Sequence, residues 1–108
     1  ARRGAQGLRV FSGGSDLVES RVRIVNRLGL HARAAAKLVR AAGAFSSTLR
    51  LERADRGAVA DAKSILSVLM LAAARGTELL ITAEGPDERA ALDALCRLVG
   101  SGFGEEEE

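Results

Sequence analysis

The chain has 108 residues, 47% hydrophobic and only 3% aromatic, with a formal net charge of +2. That length suits one domain, with enough chain to bury an aliphatic core without metal or disulfide staples. The scattered basic residues and scarce aromatics exclude a long basic stripe or a base-stacking platform, so no nucleic-acid partner is expected.

Residues 1–20 differ in texture from the rest. They are rich in Gly, Arg and Ser, with one short apolar patch, "LRVF", and a turn-like "SGGSD". This composition predicts a flexible N-terminal extension. The alternative is that "LRVF" docks on the domain or on a neighbouring chain. A regular domain is expected over 21–104, followed by a solvated acidic tail over 105–108.

In "RVRIVN", Val22 and Ile24 alternate with Arg21 and Arg23, which predicts a strand from Arg21. After "RLGL", Ala35, Leu38, Val39 and Ala42 fall at helical spacing, and Gly43 is placed to close that helix as a C′ residue. "STLRLE" alternates again, with Leu49 and Leu51 inward, and "AVADA" follows a turn at "ADRG" as a short third strand. "SILSVLMLAAARG" reads as an apolar helix closed by Gly76, and "ELLITAE" as a fourth strand with Leu79, Ile81 and Ala83 on one face. Asp87 is a suitable N-cap for a last helix whose apolar face is Leu92, Leu95, Leu98 and Val99, with Gly100 at its end. The order β-α-β-β-α-β-α, one-sided throughout, predicts a two-layer α+β domain: three helices on one face of a four-stranded, mostly antiparallel sheet.

The single cysteine, Cys96, forms no internal disulfide and reads as an inert small hydrophobe on the last helix. No apolar run follows the N-terminal basic residues, and nothing approaches about 18 uninterrupted apolar residues. The expectation is therefore no signal peptide, no membrane insertion and a cytoplasmic location.

The only histidine, His31, lies in "LGLHARAAAKL", where a helix is expected to begin. A lone histidine is more often a partly buried polar residue than a chemical group. Its position raises the chemical reading. The first N–H groups of a helix lack intrahelical partners and carry the positive end of the dipole. Those of Ala32 and Arg33 would meet an anion held on the ring, as at other phosphate-binding helix starts. The alanine side chains at 32 and 34 leave that backbone open, and Arg33 adds a planar, permanently charged donor for phosphate oxygens. The same field favours a neutral ring with a lone pair available for attack. No second histidine, HExxH, CxxC or GxSxG supports a metal site or a hydrolase triad.

"GLHARAAAKLV", "AKSILSVLMLAAARG", "ELLITAEGPDERAALDAL" and "SGF", in this order, resemble the HPr family, the histidine-containing phosphocarriers of the bacterial phosphotransferase system. The resemblance covers about residues 20–104 and extends to nitrogen-branch paralogues at "NRLGLHAR" and "SGF". It implies an open-faced β-sandwich and a phosphoryl group accepted on Nδ1 of His31. The donor would be enzyme I, charged by phosphoenolpyruvate, and the recipient an EIIA domain. It implies that Arg33 is the active-site arginine and that the protein is a relay and substrate, not a free-standing enzyme. No cofactor and no metal are implied, and a monomer is expected. The chain departs from the family at Ala34, which replaces the usual proline, and in a longer turn around "RADRGA". Alanine is a strong helix former, so the helix should survive the first change, and the second should be a surface accommodation.

Ser64 stands where the second helix is expected to begin. Read from the residues it is an N-cap. The resemblance implies that it is also a regulatory phosphorylation site for HPr kinase/phosphorylase. Ile65, Leu66, Val68, Leu69 and Met70 cannot all face inward on one short helix. Ile65 and Leu69 are expected in a docking patch near His31, with Leu66 and Met70 in the core. The competing reading is a regulatory interaction module of the Crh or nitrogen-branch kind, controlled at Ser64 with His31 weakly used or idle. A free-standing enzyme using His31 as general base stands third, because no second catalytic group accompanies it.

Overall fold

The computed structural model describes residues 9–11 and 17–105; "SGGSD" and the last three glutamates lie outside them. The elements are β1 (Arg9–Phe11), β2 (Leu17–Arg23), α1 (Ala32–Gly43), β3 (Thr48–Arg53), β4 (Val59–Asp61), α2 (Ile65–Met70), β5 (Glu78–Glu84) and α3 (Glu88–Gly100), closed by a 3-10 turn at Gly102–Gly104. The strands form one sheet in the order β1-β2-β5-β3-β4, every pair antiparallel. This is the expected open-faced α+β fold, with one short edge strand added. Ser20 and Leu51 both face Ile81 across the sheet, while Val18 and Leu49 both face Ala83. All six are buried, so one face of the sheet forms the floor of the core. α3 packs on β2, β3 and β5, and α1 packs on α2 and α3.

Several details differ from the sequence expectation. β2 begins at Leu17, not Arg21, and buries Val18 and Ser20, so residues 17–20 belong to the sheet and not to an extension. Polar Glu19 and Ser20 hid the alternation. Arg9–Phe11 of the "LRVF" patch pair with β2 as the edge strand. Gly43 is the last residue of α1, and the cap is Ala44 in a right-handed conformation, so no left-handed glycine closes this helix.

α2 stops at Met70, well short of Gly76. Ala72 takes a left-handed φ of +51°, and the Arg53 guanidinium donates to the carbonyls of Leu71 and Ala72 at 3.0 and 3.2 Å. A tertiary cation thus satisfies the orphan carbonyls that would otherwise favour another helical turn. The same guanidinium pairs with Asp55 at 2.6 Å, so the "RADRGA" turn is built around a buried arginine rather than being a surface detail alone.

Asp87 precedes α3 but makes no side-chain cap bond to it. Its carboxylate instead accepts from the Ser46 and Ser47 amides at 3.0 and 2.9 Å and from both hydroxyls. Those hydrogen bonds, led by Ser47, hold the Asp87 carboxyl down at about 2.

Candidate functional site

β2 ends at Arg23 and the chain turns through Asn26–Gly29 before delivering His31. Gly29 has φ +68°, and a Cβ there would sit 2.6 Å from the Ala73 carbonyl oxygen. Only glycine allows that approach, which brings the Leu30 amide to the Ala73 carbonyl at 2.9 Å. The loop before His31 is therefore sewn to the segment following α2. Asn26 closes the turn from within, donating through Nδ2 to the Gly29 carbonyl at 2.9 Å.

His31 is the N-cap of α1, with φ −80° and ψ −179°, and its carbonyl accepts the first helical bond from Ala35. Its ring substitutes for the usual hydroxyl or carboxylate cap: Nδ1 accepts from the Arg33 amide at 3.3 Å. At the far side of the ring, Nε2 lies 2.7 Å from Oε2 of Glu105. The ring is half-buried, and with Leu28, Ala32, Arg33, Lys37, Gly104 and Glu105 it lines an open hollow of about 570 Å³. The Arg33 guanidinium is exposed and has no partner among the described residues. Lys37 is committed instead, donating to the Phe103 carbonyl at 2.8 Å. Ala34 is fully buried in the first turn of α1, and the helix forms without a proline there.

Glu105 was missed in the sequence. It reads as the first residue of a solvated tail, yet its side chain is only 14% exposed. Removal from water pushes its carboxyl upward, but hydrogen bonds from His31 and Asn26 outweigh this and hold it below the usual glutamate value. The one available signal was "SGFG", since glycines on both sides of a large apolar residue suggest a chain turning back on the core.

Ser64 is the N-cap of α2, its Oγ accepting from the Ser67 amide at 3.2 Å. It stands outside the hollow, on the helix packed beside α1. Ile65 is exposed and Leu69 is half-buried against the core. The core assignment of Leu66 and Met70 is wrong: they are 67% and 75% exposed, and Val68 alone of α2 is buried. With only six residues in α2, a single inward position anchors the helix. Burial pushes the Cys96 thiol up, in keeping with an inert side chain. Among the described residues no cluster of metal-ligating side chains occurs, and no helix is long and apolar enough to cross a membrane.

The molecule is thus a small open-faced α+β domain whose one histidine caps a helix at an open hollow lined by Arg33, Lys37 and Glu105. A family model described as "PTS HPr component phosphorylation site" matches residues 18–101. Phosphocarrier protein HPr of Cupriavidus necator is 50% identical over 84 residues, 78% of this chain and 92% of that protein. Phosphocarrier protein NPr of Escherichia coli K12 is 42% identical, over 82% of this chain and 98% of its own. The crystal structure of HPr-C-His from Thermoanaerobacter tengcongensis superposes with a TM-score of 0.76 at 40% identity, covering 82% of this chain and 98% of that one. An HPr dimer from the same organism has a TM-score of 0.65, also at 40% identity, covering 78% and 94%. The chain belongs to the HPr family of phosphotransferase-system phosphocarriers.

Proposed function

We propose that His31 accepts a phosphoryl group on Nδ1 from enzyme I, charged by phosphoenolpyruvate, and passes it to an EIIA domain in the cytoplasm. The observation that carries this reading is the placement of Nδ1. It accepts from the Arg33 amide in the first turn of α1, in an open hollow that Arg33 also lines, and the Arg33 guanidinium has no partner among the described residues. When Nδ1 carries a phosphoryl group, the Arg33 amide loses its ring acceptor and gains a phosphate oxygen at the same place. In-line phosphoryl transfer depends mainly on such positioning and electrostatics. Arg33 supplies the mobile charge, and the Ala32 and Arg33 amides the fixed donors.

Ile65 and Leu69, with the exposed Leu66 and Met70, supply an apolar surface for both partners on α2, the helix packed against α1. Ser64 is a regulatory phosphorylation site for HPr kinase/phosphorylase. Phosphate there would be tolerated by the cap position but would charge the docking surface. The working unit is a monomer, because the exposed α2 face must alternate between two partners.

The test is to incubate the protein with enzyme I and phosphoenolpyruvate and to locate the phosphate by mass spectrometry. The expected product carries one acid-labile phosphate on His31 that moves on to EIIA. No label, or label elsewhere, would overturn the reading.

A further inference from the structure

We infer that Glu105, held by Asn26, is a positioning residue that keeps a proton on Nε2 of His31, so that Nδ1 is the bond-forming and bond-breaking atom in both directions of transfer. This rests on the reading of His31 as the phosphoryl acceptor and adds a residue to it.

A neutral imidazole has one N–H. The 2.7 Å contact between Nε2 and Oε2 of Glu105 joins a ring nitrogen to a carboxylate, which only accepts. The proton is therefore on Nε2. On the other side, Nδ1 accepts from the Arg33 amide, which requires a lone pair there. Two independent contacts select the same tautomer.

The carboxylate is itself fixed. Its Oε1 accepts from Asn26 Nδ2 at 3.0 Å, and the same Nδ2 donates to the Gly29 carbonyl. Asn26 is 1% exposed, and its Oδ1 is buried with no partner among the described residues. Its amide thus serves the His31 loop and Glu105 while its own acceptor goes unused. Glu105 is brought back over the ring by the 3-10 turn: Phe103 is buried at φ +60° and the Glu105 amide donates to the Gly102 carbonyl at 3.1 Å. A left-handed, fully buried phenylalanine is an uncommon arrangement, held here by core packing and by Lys37 on its carbonyl.

The step balances as follows. The Nδ1 lone pair forms the N–P bond as the donor's bond to phosphorus breaks, its electron pair leaving with the donor. The Nε2 proton stays, so the ring becomes a phosphorylated cation beside the Glu105 carboxylate. On the outward step the N–P bond breaks and its pair returns to Nδ1. The ring departs as neutral imidazole because Nε2 has kept its proton. Without that proton the leaving group would be an imidazolate anion, a much poorer one.

The experiment uses the full chain and the variants Glu105→Ala and Glu105→Gln. Imidazole 15N shifts of the unphosphorylated protein report the tautomer at neutral pH, and stopped-flow loading from enzyme I reports the rate. The wild type should be almost wholly protonated on Nε2. Glu105→Ala should give a tautomer mixture and load at least tenfold more slowly, about 1.4 kcal/mol in barrier. Glu105→Gln, which keeps an accepting oxygen, should restore the tautomer but recover only part of the rate. A wild-type tautomer ratio in Glu105→Ala would overturn the inference, as would wild-type loading. Should Glu105→Ala fail to fold, loading by Glu105→Gln at the wild-type rate despite a mixed tautomer would overturn it too. Failure of the acceptor reading has a different signature: the wild type would take no label on His31, whatever the tautomer.

Discussion

The two helix starts, at His31 and at Ser64, use one device for different ends. Both residues are N-caps in extended conformation, and in both a side-chain atom accepts a first-turn amide. At Ser64 the cap belongs to a helix of only six residues, with the exposed apolar Ile65 and Leu66 directly after it. At His31 the capping atom is a ring nitrogen, the flanking arginine has no partner among the described residues, and the far side of the ring is gripped by a carboxylate. A hydroxyl cap is local and needs nothing from the rest of the fold. The histidine start draws on the β2–α1 loop, on α1 and on the C-terminal turn. What separates the two caps is this tertiary support.

The comparison breaks outright if His31 is dispensable. His31→Ala should abolish phosphoryl labelling by enzyme I and phosphoenolpyruvate, read by mass spectrometry, while leaving the fold intact by circular dichroism. Undiminished labelling would end the distinction between the two starts.

Gly29 joins the two regions, because it lets the His31 loop touch the segment after α2. Gly29→Ala places a Cβ against backbone at positive φ. It should lower stability by about 2–4 kcal/mol in urea unfolding, with transfer activity falling in the same variant. A neutral substitution would mean that the two starts are not sewn together there.

Arg33 should matter for transfer and not for folding. Arg33→Ala removes a charge-assisted interaction of about 1.5–3 kcal/mol, roughly a ten- to hundredfold slower transfer, with an unchanged melting temperature. Wild-type rates would remove Arg33 from the site.

Ser64→Asp keeps an N-cap acceptor and adds charge beside Ile65. It should slow His31 loading by about tenfold at nearly unchanged thermal stability, whereas Ser64→Ala should lose about 1 kcal/mol of stability and little rate. Slower transfer accompanied by a large fall in melting temperature would point to damaged folding, and an unchanged rate would leave Ser64 a cap only.

The third helix start sharpens the contrast in the opposite direction, since Asp87 neither caps its own helix nor faces the hollow. Its folded value of about 2 lies below the ordinary aspartate value. Its contribution to stability is therefore present above about pH 4 and is lost as pH falls through about 2. The stability gap between wild type and Asp87→Asn should shrink over that acid range in denaturant titrations, while transfer near neutral pH stays the same. A gap independent of pH would show that the carboxylate charge is not what the two serines hold.

The strands from β3 onward, the three helices and the place of His31 at a helix start were legible because they rest on local periodicity. Alternation in "STLRLE" and "ELLITAE" and helical spacing from Ala35 to Ala42 require only the chain's own geometry. The miss at Leu17–Ser20 has the same origin, since a polar Ser20 on the inner face carries no hydrophobic mark until its neighbours across the sheet are known. Likewise, apolar Leu66 and Met70 read as core until a six-residue helix presents only Val68 inward.

By itself, then, the sequence determined the element order, the two-layer class, the aliphatic core and the one histidine on which chemistry is proposed. Each follows from residue type and spacing within a dozen residues. Only the tertiary structure decided where α2 stops, what Asp87 binds, and that Glu105 lies against His31. Arg53 reaches α2 across 18 residues, Asp87 reaches Ser47 across 40, and Glu105 reaches His31 across 74. Polar contacts at such separations depend on angles and distances set by the packed sheet and helices. No periodicity encodes them, because a hydrogen bond depends on where two groups meet in space and not on how far apart they stand along the chain.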